Sequence, residues 1–299
     1  MTTISNNNVN AFQNACLINI VCRTWSGQKK LTKSQIAKAM ESDWVGGHKD
    51  LIDPAELTKL RKIQGAAKRF IEDMSLPFPV RGLTLVPKGS IEAIDDKLKE
   101  YELELQEAVS LFEAKYRELR EFARTALNGL FNERDYPISI SGRFTIEWQF
   151  VAISAPEDTG ILTPEIYRRE KEKFTQLMEE TRNTAVAALR SEFTGIVSHM
   201  VERLTPEVDG KSKTFRDTLT GNFWKFFQSF KDRNIFEDGA LDDLVEQAQS
   251  ALHGVTPDEL RDNDVMRGRV SGSMKQVVDS INSALVDRPT RKIKFKEAV

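Results

Sequence analysis

The residues best suited to catalysis are few in this chain, and their spacing assembles no reaction centre. Its only histidines are His48, His199 and His253, which fall in three different predicted elements with no HxxxH or HxH spacing. A helical zinc dyad needs ligands three or four residues apart on one face, so no metal site is expected. Carboxylates are plentiful, but Asp95/Asp96 and Asp242/Asp243 are adjacent and point to different sides of a helix, as solvated faces do. Asp262-Asn263-Asp264 opens like a calcium loop, yet Met266 stands at the third oxygen position and Ser273 at the closing one.

Nucleophile and phosphate motifs fail in the same way. Ser26-Gly27-Gln28-Lys29 satisfies a bare SxxK, without the SDN or KTG segments that complete that acylation site. The same stretch lacks the GxxxxGK[ST] spacing that wraps backbone amides around a phosphate. Gly268-Arg-Val-Ser-Gly272 misses the GxSxG elbow by one position. Cys16 and Cys22 are six residues apart, which fits neither a CxxC redox pair nor a zinc-finger pair, so two reduced, packed thiols are expected. The chain reads as a non-enzyme with no cofactor and no metal.

The elements that would position any site are mostly helical. Over 299 residues, 40% are hydrophobic and 29% charged, enough for a sizeable core, and net charge is −2. In the 90–128 stretch, Ile91, Ile94, Leu98, Tyr101, Leu105, Ala108 and Phe112 alternate steps of 3 and 4, a period of 3.5 residues. As one helix that stretch would reach on the order of 58 Å. A second stripe, Phe174, Met178, Thr181, Ala185, Leu189, Phe193, Ile196, Met200 and Leu204, averages 3.75 residues, so a long regular supercoil over the full length is not expected. Cap signals such as Asp53-Pro54-Ala55-Glu56, Thr163-Pro164-Glu165 and Thr256-Pro257-Asp258-Glu259 predict helices near 32–42, 53–74, 90–130, 163–204, 212–232, 239–253 and 256–286.

Two segments interrupt the helices. PFPVRGLTLVP at 77–87 is too rich in proline for a helix and suits a short strand or crossover. At 136–155, Ile138, Ile140, Phe144, Ile146, Trp148 and Phe150 alternate around Ser141-Gly142, as in a β-hairpin or strand pair. The expected fold is mainly α: an elongated helical bundle with a long antiparallel helical hairpin and a small β element, held at the tip of the hairpin or folded back on the bundle. Expected segments are 1–89, N-terminal and mixed; 90–205, the hairpin with the β insert; and 206–299, C-terminal and helical with a basic tail.

Charge and aromatic residues are unevenly distributed. Five bases and no acid occupy 23–38 (Arg23, Lys29, Lys30, Lys33 and Lys38). Lys59, Arg61, Lys62, Lys68 and Arg69 follow at 59–69, and Arg288, Arg291, Lys292, Lys294 and Lys296 at 288–296. Between Phe236 and Asp264, nine acids face one arginine. Such polarity suits docking between basic and acidic surfaces, and a phosphate-binding surface is the alternative. Phe223, Phe226, Phe227 and Phe230 share one helical face, with Gly221 expected to end a turn just before them. The opening MTTISNNN is polar and uncharged, and no run approaches 18 apolar residues, so neither export nor a membrane span is expected and a cytoplasmic location is.

The run Ile20-Val-Cys-Arg-Thr-Trp25-Ser26-Gly27-Gln28-Lys29-Lys30-Leu31 resembles an uncharacterised phage and bacterial family, a domain of unknown function with a WSG[RQ]KKL-like run. Its members open with a strand-like hydrophobic stretch and are often encoded beside a MoxR-type AAA+ ATPase and a protein with a von Willebrand A domain. The resemblance implies an accessory role in ATPase-driven remodelling, with one of those proteins as partner, and it carries over no catalytic residue. The chain is thus expected to act as an adaptor or scaffold through Trp25, Lys29, Lys30, Phe144, Trp148 and Phe150, possible self-association included. The alternatives are nucleic-acid binding through the basic stretches and a phage structural or assembly role.

Overall fold

A computed structural model describes residues 12, 14–37, 46–155, 160–205 and 217–286. In chain order the elements are β1 (Ala15–Arg23), β2 (Gln28–Lys30), α1 (Lys33–Ala37), β3 (His48–Asp50), α2 (Thr58–Met74), β4 (Leu76–Pro77), β5 (Thr84–Pro87), α3 (Ile91–Leu127), β6 (Thr145–Val151), α4 (Pro164–Leu204), α5 (Asp217–Arg233), α6 (Gly239–Leu252), α7 (Pro257–Asp262) and α8 (Asp264–Val286). The chain is mainly helical with a small antiparallel sheet. It divides into a sheet-bearing unit, residues 16–75 and 80–152, and a helical unit, residues 1–15, 76–79 and 153–299.

In the sheet-bearing unit, β5, β1 and β6 hydrogen-bond in that order, and β2 pairs with β3 in a separate antiparallel ribbon. The inner face of the sheet packs on α3, which also packs along α2. The heptad stripe is what α3 buries: Ile94, Leu98, Leu105, Ala108 and Phe112 are all core residues. Helix α2 adds Leu60, Ile63, Ala67 and Ile71 at the same 3–4 spacing.

The expected hairpin at 136–155 is not formed. Only β6 is a strand there, and it pairs antiparallel with β1, Ile18 opposite Phe150, Ile20 opposite Trp148 and Cys22 opposite Ile146. Ile140 is buried without pairing, Ile138 is 97% exposed, and Gly142, with φ +76°, sits in a turn. The alternation does mark a strand; its partner lies at the other end of the unit's sequence, where no local turn signal could point to it. The segment packs on α3 instead of standing at a tip.

The helical unit is built on α4, which packs against α8, α5 and β4, while α8 also packs on α6 and α7. Met178, Ala185, Leu189, Phe193, Met200 and Leu204 of the looser stripe are buried, as are Phe223, Phe226 and Phe230 from α5. Phe193 and Phe226 stack at 5.3 Å. Gly221 lies inside α5, not before it, because the helix begins at Asp217. The predicted 256–286 helix is split at Asn263 into α7 and α8, and Thr256 and Glu259 close a full capping box on α7. Ion pairs tie the helices: Arg190 grips Asp238 through two bonds of 2.6 and 2.7 Å, both side chains largely buried, and buried Arg233 holds the exposed Glu192.

Candidate interaction surface

The Trp-Ser-Gly run holds its own unit together. Trp25 lies edge-on to Tyr116 of α3 at 6.0 Å, in a cluster with Phe112 and Phe144. Gly27 has φ +66°, and an added Cβ would meet Leu57 Cδ1 at 2.7 Å, so glycine alone fits on both counts. That bend sends the chain into β2, which pairs Gln28 with Asp50, Lys29 with Lys49 and Lys30 with His48. The amide of Leu51 donates to Gly27 O at 2.7 Å, and Arg61 donates to Ser26 O at 2.8 Å. Gln64 of α2, itself buried, donates to Arg23 O and Thr145 O and accepts from Thr24 Oγ1, so one amide side chain joins α2 to the ends of β1 and β6.

The ribbon's pleat separates its two lysines. Lys29 stands 3.8 Å from Asp135, whereas Lys30 is exposed on the other face. Opposite Lys29, the buried Lys49 pairs with Asp135 at 2.7 Å and donates to Leu130 O. Tyr136 donates to Leu51 O and Tyr116 to Pro137 O, while Glu113 accepts from the amides of Ile140 and Ser141. Burial pushes the Tyr116 phenol up to about 12. Lys49, Gln64, Glu113 and Asp135 carry no signal in the sequence, because each acts across at least 27 residues and follows no periodic pattern.

Along β6 the burial is graded. Phe144, just before the strand, and Ile146 are core; Trp148 is half-buried and donates its indole N–H to Asp95 at 2.8 Å; Phe150 is 36% and Val151 41% exposed. Lys99 and the Trp148 indole hold the Asp95 carboxyl below the usual carboxylate range. The partners of the open pair are covered: Ile18 opposite Phe150 is 1% exposed and Leu17 opposite Val151 is 6%. A groove of about 420 Å³ runs along Ile146–Gln149, bounded by Asn19, Val21 and Glu102. Of the six residues that the sequence singles out, Trp25 and Phe144 share one aromatic cluster, Trp148 and Phe150 lie along β6, and Lys29 and Lys30 lie on the ribbon.

The histidines and cysteines form no metal-binding cluster among the described residues. His199 stands 3.7 Å from Glu202 on the exposed side of α4, and no group of three or more potential metal ligands occurs among those residues. Cys16 and Cys22 are unbridged, and burial raises both thiols, the effect on Cys22 opposed by nearby Lys68. No helix among the described residues is long and apolar enough to cross a membrane. The basic stretch at 288–296 and Lys38 lie outside the described residues.

Fold and surface define a mainly helical protein with a small antiparallel sheet whose outermost strand, β6, has a strand neighbour on one side among the described residues. The chain belongs to the family described as a protein of unknown function, DUF3150, whose model matches residues 12–221. That match takes in the whole sheet-bearing unit and, in the helical unit, α4 and the start of α5. No curated protein and no solved structure matches the chain.

Proposed function

We propose that this protein is a non-enzymatic adaptor or scaffold of an ATPase-driven remodelling system, phage-borne or bacterial, acting in the cytoplasm. The observation that carries the reading is the graded burial of β6: a strand braced at Phe144, Ile146 and Trp148 that leaves Phe150 and Val151 uncovered at its end. Exposed aromatic and branched side chains on a rigid element are what a protein partner buries. The partner named by the resemblance is a MoxR-type AAA+ ATPase or a von Willebrand A domain protein. Co-expression of the full chain with each neighbour tests this: one should co-purify with the chain, and Phe150→Glu should release it. Failure of both to co-purify overturns the assignment of partner.

Nucleic-acid binding is the second reading, favoured by one observation. Arg61 and Gln64 bond to the backbone of Ser26 and Arg23, which brings the start of the first basic stretch beside the second, 59–69. Part of that charge is already met, since Arg23 pairs with Glu147 and Lys29 approaches Asp135. Duplex binding that weakens steeply with salt and with Lys30→Glu/Lys62→Glu would favour this reading. The elongated arrangement of α3 and α4 as a long hairpin belongs to the adaptor proposal. Small-angle scattering from a monomer tests it against the radius of roughly 19 Å expected of a compact chain. A phage structural or assembly role would share that shape.

A further inference from the structure

We infer that the sheet-bearing unit pairs with a second copy of itself through the outer faces of α2 and α3. Helix α3 carries another seam on the side away from its core. Leu103, Glu107, Leu111, Ala114, Glu118 and Phe122 follow one another at steps of 3 or 4 residues, so they share one face, and all of them are exposed. Leu103, Leu111 and Phe122 are 59%, 63% and 69% exposed, more than every other described large apolar side chain of the unit but Ile138. Scattered singly, such residues need no partner; lined up on one helix, they form an amphipathic strip that a partner buries.

Charge specifies the occupant. Glu107 and Glu118 stand between the apolar residues of the seam and form no ion pair among the described residues, while Lys115 and Arg117 fall on its two flanks. The outer face of α2 has the opposite sign: Thr58, Lys62, Gly65 and Arg69 run along its centre, with Lys59 and Lys68 at its margins. These four bases also form no ion pair among the described residues. At Gly65 the helix surface is bare, since an added Cβ would meet only the end of the Arg69 side chain, at 3.7 Å. A leucine of a facing helix fits that hollow, with a base on either side of it. Along their axes, Lys62 and Arg69 are about 10 Å apart and Glu107 and Glu118 about 16 Å, a difference that long basic side chains span. Within one unit the two faces cannot meet, because α2 and α3 pack together through their other, buried sides. Two copies related by a two-fold axis bring α2 of each against α3 of the other, which buries both seams and closes the assembly at two. The pairing leaves β6 free and does not depend on the partner proposed above. It does use the bases of 59–69, so a nucleic-acid duplex is the competing occupant.

Sedimentation of the full chain tests this. The unaltered chain should be a dimer whose dissociation constant rises with salt, and Leu111→Gln/Phe122→Gln should weaken it at least tenfold with helix content unchanged. Lys62→Glu/Arg69→Glu and Glu107→Lys/Glu118→Lys should each be monomeric alone and form a dimer when mixed in equal amounts, because each then offers the charge that the other lacks. An unaltered chain that stays monomeric overturns the inference. So does a dimer that survives Leu111→Gln/Phe122→Gln, or a mixture of the two charge variants that fails to associate. A duplex bound by the unaltered chain as a monomer, and released by Lys62→Glu/Arg69→Glu, would give the α2 face to nucleic acid instead.

Discussion

The sheet-bearing unit and the helical unit are held together by different means. In the helical unit, long helices bury periodic stripes against one another, and buried arginines join α4 to α5 and to the cap of α6 through carboxylates. In the sheet-bearing unit, one helix-and-sheet core is bordered by irregular segments pinned by a few long-range polar bonds: Lys49 to Asp135, Tyr136 to Leu51, and Gln64 to Arg23 and Thr145. Periodic burial spreads stability over many contacts, whereas pinned loops place specific residues at chosen points and concentrate the cost of losing one. The second strategy suits the interaction surface proposed for this unit.

The comparison breaks most readily at the centre of the helical unit. Phe193 is fully buried against Phe226, and Phe193→Ala should cost about 3–5 kcal/mol. If the units are held together independently, exchange protection in α4 and α5 should collapse while β1 and β6 keep theirs. A uniform loss across both would show one cooperative structure.

Removing a pin should act on the sheet-bearing unit alone. Lys49→Met leaves the carboxylate of Asp135, 12% exposed, with only the distant Lys29. Breaking such a buried pair costs about 3 kcal/mol, and urea titration followed by exchange should place the loss at 128–137 and the ribbon. Lys49→Met/Asp135→Leu should recover much of it. The smallest effect is expected from Thr256→Ala, which removes the capping box of α7 and should cost about 1 kcal/mol. Its trace should be confined to α7 and the start of α8.

Much of the helical architecture is legible in the sequence itself. The seams of α3 and α4, the Pro-and-acid caps and the Phe stripe of α5 are local patterns, repeating within a few residues, and local patterns survive folding. Pairing at a distance is not legible in that way. Strand β1 looks unremarkable because Leu17 and Ile18 are buried in succession, on opposite faces, so no clean alternation announces it. The WSG run is visible as a motif, but its role as an internal brace depends on Leu57, Arg61 and Tyr116, which no spacing rule connects to it. The break at Asn263 is hidden because Thr256-Pro257 marks only where α7 begins; Asn263 accepts from the amide of Met266 and starts a second helix.

The central claim is that Trp25 supports the sheet-bearing unit from within while the far end of β6 meets a partner. The most direct measurement pairs two variants, Trp25→Ala and Phe150→Glu, and records for each the thermal midpoint and co-purification with a MoxR-type ATPase or von Willebrand A protein, the partners proposed above. Trp25→Ala should lower the midpoint by several degrees through the cavity it leaves beside Tyr116, and Phe150→Glu should leave the midpoint nearly unchanged while association is lost. A Phe150→Glu protein that still binds, beside a Trp25→Ala protein that folds normally and does not, would contradict the account.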